Sequence, residues 1–381
     1  MTDVIGQKQG KAWTMYHGDT VDVARGLPDK SVGFSVFSPP FASLYTYSNS
    51  PRDMGNCRTH QEFFDHYDHL VVEQARVMKP GRLVAAHCML LPTVKERDGY
   101  IGLRDFRGDI IRAYQKRGFV FHSEVVIWKD PVTAMQRTKA LGLLYKQLKK
   151  DSTRSRQGIP DYVVVMRAPG ENTEPVEKTP EDFPVSLWQQ YASPVWMDIN
   201  PSETLQYRSA REHNDERHIC PLQLEVIKRA VVLWSNKGDV VWSPFAGIGS
   251  EGWVALREGR KFVGAELKES YFHQACGNLA VAETDPQMGL FKDDVGGGVE
   301  DAFERGQLCQ RKGFAIHRKH RRTAQHGGLK FELPAFGLRK RGQLTIAVND
   351  GTFVGGDGVH VQVQRRADMI QRGLTGLRVD R

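Results

Sequence analysis

Two periods alternate along the chain. Short continuous apolar runs at 13–17, 31–37, 83–89, 120–128, 161–166, 238–242 and 261–267 read as buried strands. Between them the apolar residues recur at helical spacing. In 61–78 the positions are Phe63, Phe64, Tyr67, Leu70, Val71 and Ala75, which read as a core face, with Lys79-Pro80-Gly81 ending the helix. Further helices are predicted over 105–117, stopped at Gly118, over 222–234 and over 250–257. Strands interleaved with helices predict an α/β fold with a mostly parallel sheet. Three stretches lack either period. Residues 42–59 form a polar loop long enough to be a lid or binding loop, with Tyr45, Tyr47 and Arg52 able to touch a base or phosphates, or else a plain surface loop. Residues 169–214 are polar and Pro-rich, and 1–11 are polar. Beyond 284 come a linker-like Gly296-Gly297-Gly298, the basic clusters 318–322 and 339–341, and a candidate hairpin of 344–348 and 352–354 turned at Asn349-Asp350-Gly351. A flexible tail and an accessory DNA-binding module remain equally open for this region.

The strand at 31–37 ends in Ser38-Pro39-Pro40-Phe41. Two prolines cannot continue a hydrogen-bonded ladder, so the strand stops in a rigid turn. Open α/β sheets bind ligands at such carboxyl ends. The turn presents the Ser38 hydroxyl, the Pro39 carbonyl and the Phe41 ring. Two acceptors and a flat ring suit a flipped-out base with an exocyclic amine; the plain alternative is a strand stop. Late in the chain, a strand at 238–242 runs into Ser243-Pro244-Phe245-Ala246-Gly247-Ile248-Gly249, a helix at 250–257 and a strand ending near Glu266. An acid there can accept both ribose hydroxyls of an adenosine cofactor, while Gly247 and Gly249 admit the ligand close to the backbone.

Together these stretches resemble the permuted, β-class DNA amino-methyltransferases that act on N4 of cytosine or N6 of adenine. Ser38-Pro39-Pro40-Phe41 matches their Asp/Ser/Asn-Pro-Pro-Tyr/Phe motif, and 218–279, with Cys220-Pro221-Leu222, Gly238-Asp239, Gly264-Ala265-Glu266 and Tyr271, matches their cofactor half. The resemblance covers about 12–282. It implies a seven-stranded, mostly parallel, Rossmann-like sheet, circularly permuted, with a small recognition insert and a C-terminal extension. It implies S-adenosylmethionine as cofactor, held by Asp19, Pro221, Ser243, Pro244, Phe245, Gly247, Gly249 and Glu266, with Ser38, Pro39, Pro40 and Phe41 catalytic. Asp19 would lie near the cofactor's adenine, or simply cap a helix. Trp128-Lys129 stands where the family ends a strand in an aromatic-Lys pair. Ser243 departs from the pattern, replacing an acid. The implied layout is a methyltransferase domain at 1–284, with a DNA-contacting and target-recognition region at 130–215, and a basic Gly-rich extension at 285–381.

Net charge is +8 over 381 residues, which favours a polyanionic partner, double-stranded DNA on this reading. Lys139, Lys146, Lys149, Lys150, Arg154 and Arg156 place a basic helix face and loop at 138–157, suited to phosphates or to a solvated face. No apolar run is long enough to span a membrane, and no metal-ligand spacing occurs. Five cysteines without a C-x-x-C pair fit free thiols in the cytoplasm. Cys220 precedes a proline rather than following one, so the Pro-Cys nucleophile of C5-cytosine chemistry is missing. Two other readings stand beside the enzyme: a nucleic-acid-binding protein with an inactive methyltransferase-like domain, and an NAD-dependent oxidoreductase using Gly247-x-Gly249-x-x-Gly252. Oligomeric state, the methylated base, the recognition sequence and the existence of a cognate restriction endonuclease are left open.

Overall fold

The computed structural model describes residues 4–41, 52–93, 95–138, 143–206 and 221–284, and short strands between 322 and 361. The chain divides into two compact units, Met1–Lys292 and Asp293–Arg381. The first opens with β1 (Val4–Gln9), β2 (Trp13–Gly18), α1 (Thr20–Gly26) and β3 (Val32–Phe37). Then come α2 (His60–Val77), β4 (Met78–Met89), β5 (Leu91–Thr93), α3 (Lys95–Asp98), β6 (Gly102–Arg104), α4 (Phe106–Lys116) and β7 (Val120–Ile127). The middle holds α5 (Pro131–Thr138), α6 (Tyr145–Lys150), β8 (Asp161–Arg167), α7 (Val185–Tyr191) and β9 (Val195–Trp196). The unit closes with α8 (Leu224–Trp234), β10 (Val240–Ser243), α9 (Ser250–Arg257), β11 (Lys261–Glu266) and α10 (Glu269–Thr284).

One sheet runs β1-β2-β11-β10-β3-β4-β8-β7-β9. Strands β2, β11, β10, β3 and β4 are parallel; β8 runs against β4 and β7. All six positions of β3 are buried, because helices cover both faces of the sheet. One layer packs Ile227, Val231, Val254, Leu256 and Leu279 of α8, α9 and α10 on one face. The other packs Phe63, Tyr67, Phe106 and Tyr114 of α2 and α4 with Phe37. A buried polar chain crosses this second layer: Tyr114 hydroxyl to Gln74, Gln74 to Ser35 Oγ at 3.2 Å, Ser35 to the Trp242 carbonyl at 3.0 Å. Capping explains the start of α2. Thr59 Oγ1 accepts from Glu62 N, while the Glu62 carboxylate accepts from Arg58 N, a near capping box.

The described residues give this sheet nine strands, two more than the seven expected. The polar N-terminus supplies β1, which pairs antiparallel along β2 at one edge, where an outward face needs no apolar residues. The Pro-rich 169–214 region supplies β9, two residues alongside β7 at the other edge. Strand β4 starts at Met78 rather than at Leu83: its register with β3 shifts between Met78 and Leu83, and that bulge accommodates Pro80. In its described residues the basic region at 138–157 holds the short helix α6 running into a basic turn. A 3-10 turn at Ser152–Arg154 follows α6, begun by Asp151, whose carboxylate accepts from Thr153 N at 3.0 Å. In the second unit, Arg322–His326 pairs with Leu329–Leu333. Gln343–Thr345 pairs back with Leu338–Lys340, and Phe353–Gly355 forward with Val359–Val361. The strand residues expected on either side of Asn349-Asp350-Gly351 therefore pair elsewhere where they are described, and the turn itself lies outside the described residues.

Candidate active site

A cleft of about 1530 Å3 opens at the carboxyl ends of β2, β3, β4, β10 and β11. Strands β3 and β10 are neighbours, so the Pro-Pro turn and the glycine turn meet there despite their separation in sequence. Asp19, Ser38, Pro39, Pro40, Phe41, Pro221, Pro244, Phe245, Gly247 and Glu266 all line it. Ser243 and Gly249 do not. Ser243 is fully buried with its hydroxyl unpartnered by protein, and Gly249 is buried against Ala275.

The glycine turn forms because β10 must pass into α9 within a few residues. Gly247 and Gly249 take φ of 53° and 84°, the left-handed region that glycine enters freely. Asn278 Nδ2 donates to the Ile248 carbonyl at 2.8 Å and pins the turn to α10. A Cβ on Gly247 would meet nothing within 4 Å, so its backbone faces open space on the cleft wall. Glu266 stands opposite, accepting from Gly247 N and Lys268 N at 2.8 Å each. Burial pushes its carboxyl up to about 7, against the pull of those amides. Glu251, in the first turn of α9, is 4% exposed and lines the same wall; burial, with Glu266 adding, pushes it to about 8. Sequence reasoning passed over Glu251, because an acid in a helix's first turn is ordinary dipole compensation. Asp19 does cap α1, its Oδ1 accepting from Val21 N and Asp22 N, and it faces the cleft as well. Open backbone, apolar walls from Phe245, Ile248 and Tyr271, and two buried carboxyls able to hydrogen-bond ribose hydroxyls fit an adenosine ligand.

On the other side, Ser38 Oγ lies 3.0 Å from His87 Nδ1. His87 sits near the end of β4, and its Nε2 lies 3.2 Å from Asp161 Oδ2, the first residue of β8. Lys129 Nζ is 2.6 Å from the same oxygen. All four residues line the cleft, with exposed Trp128 beside them. Asp161 is 4% exposed; burial raises its carboxyl, but His87 and Lys129 outweigh that and hold it below the usual range. Phe41 stands 6.2 Å from the His87 ring and meets Phe106 edge-on at 6.2 Å. Neither His87 nor Asp161 was foreseen: each is one polar residue at a strand end, with no local pattern.

Arg156 lines the cleft, together with Leu143 and Ile159. Lys146, Lys149, Lys150 and Arg154 are exposed on α6 and the turn after it, outside the cleft wall. Arg52 lines the cleft and pairs with Asp22. Lys139, Tyr45 and Tyr47, like 218–220 of the cofactor half, lie outside the described residues. Among the described residues no group of three or more His, Cys, Asp or Glu could hold a metal, and no helix is long and apolar enough to cross a membrane.

The DNA methylase family model matches residues 32–276, well over half of the chain and spanning both turns. The chain belongs to the N4-cytosine/N6-adenine family of DNA methylases. S-adenosylmethionine is the cofactor of this methylase family. The chain is 23% identical over 272 residues to the type II methyltransferase M.BglII of Bacillus subtilis, covering 68% of this chain and 66% of that one. It is 24% identical over 278 residues to the DNA adenine methyltransferase YhdJ of Escherichia coli, covering 71% and 84%. Two solved structures share the methylase's fold. One is the cytosine-N4-specific PvuII DNA methyltransferase, with TM-score 0.52, 15% identity, and coverage of 74% of this chain and 96% of that one. The other is a Thermus thermophilus protein assigned as a DNA modification methylase, solved with S-adenosyl-L-methionine, at TM-score 0.51, 23% identity, 71% and 95% coverage.

Proposed function

We propose that this chain transfers a methyl group from S-adenosylmethionine to the exocyclic amine of a cytosine (N4) or adenine (N6) held out of a DNA duplex. The observation that carries the reading is the adjacency of the Ser38-Pro39-Pro40-Phe41 turn and the Gly247–Glu266 wall in one cleft. When bound, the cofactor supplies a methyl group on a sulfonium. Gly247, Glu251, Glu266, Phe245 and Asp19 would hold it, the carboxyls facing its ribose and its cationic groups. Ser38 Oγ and the Pro39 carbonyl would accept the two N–H bonds of the amine. That draws its lone pair out of conjugation with the ring and aims it across the cleft, so catalysis is largely positioning. Phe41 would stack on the base, offsetting the few kcal/mol of extrusion.

The basic stretch from Lys146 to Arg156, flanking the cleft through Arg156, would meet phosphates of double-stranded DNA. The remaining target-recognition role falls to 130–215 by position. One relative is named an adenine methyltransferase and a fold neighbour a cytosine-N4 enzyme, so the shared amine is the substrate feature proposed. The deciding test is mass spectrometry of nucleosides from duplex DNA incubated with the protein and S-adenosylmethionine. N4-methylcytosine or N6-methyladenine is the expected product. If cytosine C5 alone is methylated, or no base at all, the reading is wrong.

A further inference from the structure

We propose that His87, oriented by Asp161, is the proton acceptor of the methyl transfer and fixes the direction of the Ser38 hydroxyl. This rests on the amine-methylation reading above. A serine hydroxyl has one proton and two lone pairs. To accept from an amine, Ser38 must send its own proton elsewhere, and His87 Nδ1 at 3.0 Å is where it can go. That requires the tautomer with the proton on Nε2. The opposite tautomer would make Nδ1 a donor, turn the Ser38 proton toward the cleft and set it against the amine's N–H groups.

Asp161 selects the required tautomer. An ionised carboxylate only accepts, and its Oδ2 lies 3.2 Å from Nε2. Neither Nε2 nor Asp161 Oδ1 has a well-aligned protein partner, so the contact is one of proximity and charge. The sheet holds the two together. His87 pairs with Val163, and Asp161 lies two residues from Val163 on the same face, a diagonal cross-strand neighbour. Lys129 Nζ, 2.6 Å from Oδ2, keeps the carboxylate charged although it is 4% exposed.

In the transfer, the N–C bond forms from the amine's lone pair while the S–C bond breaks with its electron pair left on sulfur. The nitrogen, now cationic, loses one N–H proton to Ser38 Oγ as the Ser38 proton passes to His87 Nδ1. The imidazolium stands against Asp161 and later yields its proton to water. The charged groups nearest to it are Asp161 and Lys129. Arg52, Asp53, Asp130 and Arg156 are further charges on the cleft wall.

His87→Asn tests this, because its amide oxygen can still accept from Ser38 but cannot take up a proton. Single-turnover transfer from S-adenosylmethionine to duplex DNA, followed against pH, should show an acid-side fall in the wild type. H87N should lose that limb and run on the order of 10²–10⁴-fold slower, the usual span for a general base. Calorimetric affinity for S-adenosylmethionine should stay within about twofold, since no cofactor-side residue changes. A wild-type rate with an unchanged pH limb in H87N overturns the role. Two-bond 1H–15N correlation spectra of the free wild-type protein give an independent reading: His87 should be the Nε2–H tautomer, and an Nδ1–H tautomer overturns the role even if the variant fails to fold. A wild type that methylates no amine would instead overturn the parent reading, and this role with it.

Discussion

At the scale of single residues, Ser38 Oγ lies 3.0 Å from His87 Nδ1, and in the proposed reaction the same hydroxyl would also accept from the incoming amine. Ser38→Ala removes an acceptor while leaving both prolines and the Phe41 ring in place. Single-turnover transfer should fall on the order of 10²–10³-fold, as for one preorganised polar group, with cofactor affinity unchanged. A wild-type rate would take the active site away from this turn. Phe41→Ala should instead lose stacking of about 1–3 kcal/mol, visible as weaker extrusion of a fluorescent base. Glu251 makes a different prediction. Its carboxyl is raised from the ordinary range to about 8, so the folded state holds a proton that the unfolded state releases. Stability should therefore fall as pH climbs from about 4.5 toward 8, then level off. Glu251→Gln removes that dependence. Its melting temperature should exceed the wild type's by on the order of a few °C at about pH 8.5, with the gap closing at about pH 5. A constant gap between the two pH values would refute the assignment. The Pro-Pro turn was legible in the sequence because proline restricts backbone wherever it sits. His87 was not, because its partners are Ser38, Asp161 and Lys129, brought from separate strands only by the sheet.

At the scale of elements, the periods worked where one face is apolar. The predicted helix at 250–257 is α9 itself, and 61–78 is α2 within one residue. They failed where an element needs no apolar face, as in β1, or is too short for a period, as in β9. Pro80 hid the start of β4, since only a bulge lets a strand carry it. Lys149 and Lys150 close a helix of six residues, and Arg154 pairs with Asp151 at 3.3 Å. Charge here sits on a short exposed helix and the turn that follows it. Neutralising Lys149 and Lys150 should still flatten the plot of log K against log salt by roughly 1.8 if both meet phosphates, at about 0.9 per contact. Cognate and scrambled duplexes should weaken alike, because phosphates carry no base identity. An unchanged slope would leave these lysines solvated.

At the scale of the whole molecule, the order of the chain and the order of the sheet differ, and the site depends on the difference. The turn after β3 and the turn after β10 share a cleft because β10 inserts between β3 and β11. The carboxyl-end rule anticipated that each turn binds something; their adjacency came from the resemblance, since no local pattern encodes it. The charge distribution is similarly divided. Residues 293–381 hold 16 basic and 10 acidic residues, so six of the eight net positive charges belong to the second unit. Every residue proposed to meet the cofactor or the amine belongs to the first. A chain ending at Lys292 should therefore bind S-adenosylmethionine with affinity within about twofold of the full chain, as expected for a change remote from the site. Its affinity for non-specific duplex should drop, and its salt slope should shrink by about 0.9 for each phosphate that the second unit neutralises in the full chain. Calorimetry with the cofactor and fluorescence anisotropy with a labelled duplex across a salt series separate the two effects. Loss of cofactor binding in the shortened chain would show that the first unit alone does not suffice for it. An unchanged slope would mean that its charge does not act on DNA, leaving the stretch from Lys146 to Arg156 as the remaining electrostatic contact proposed.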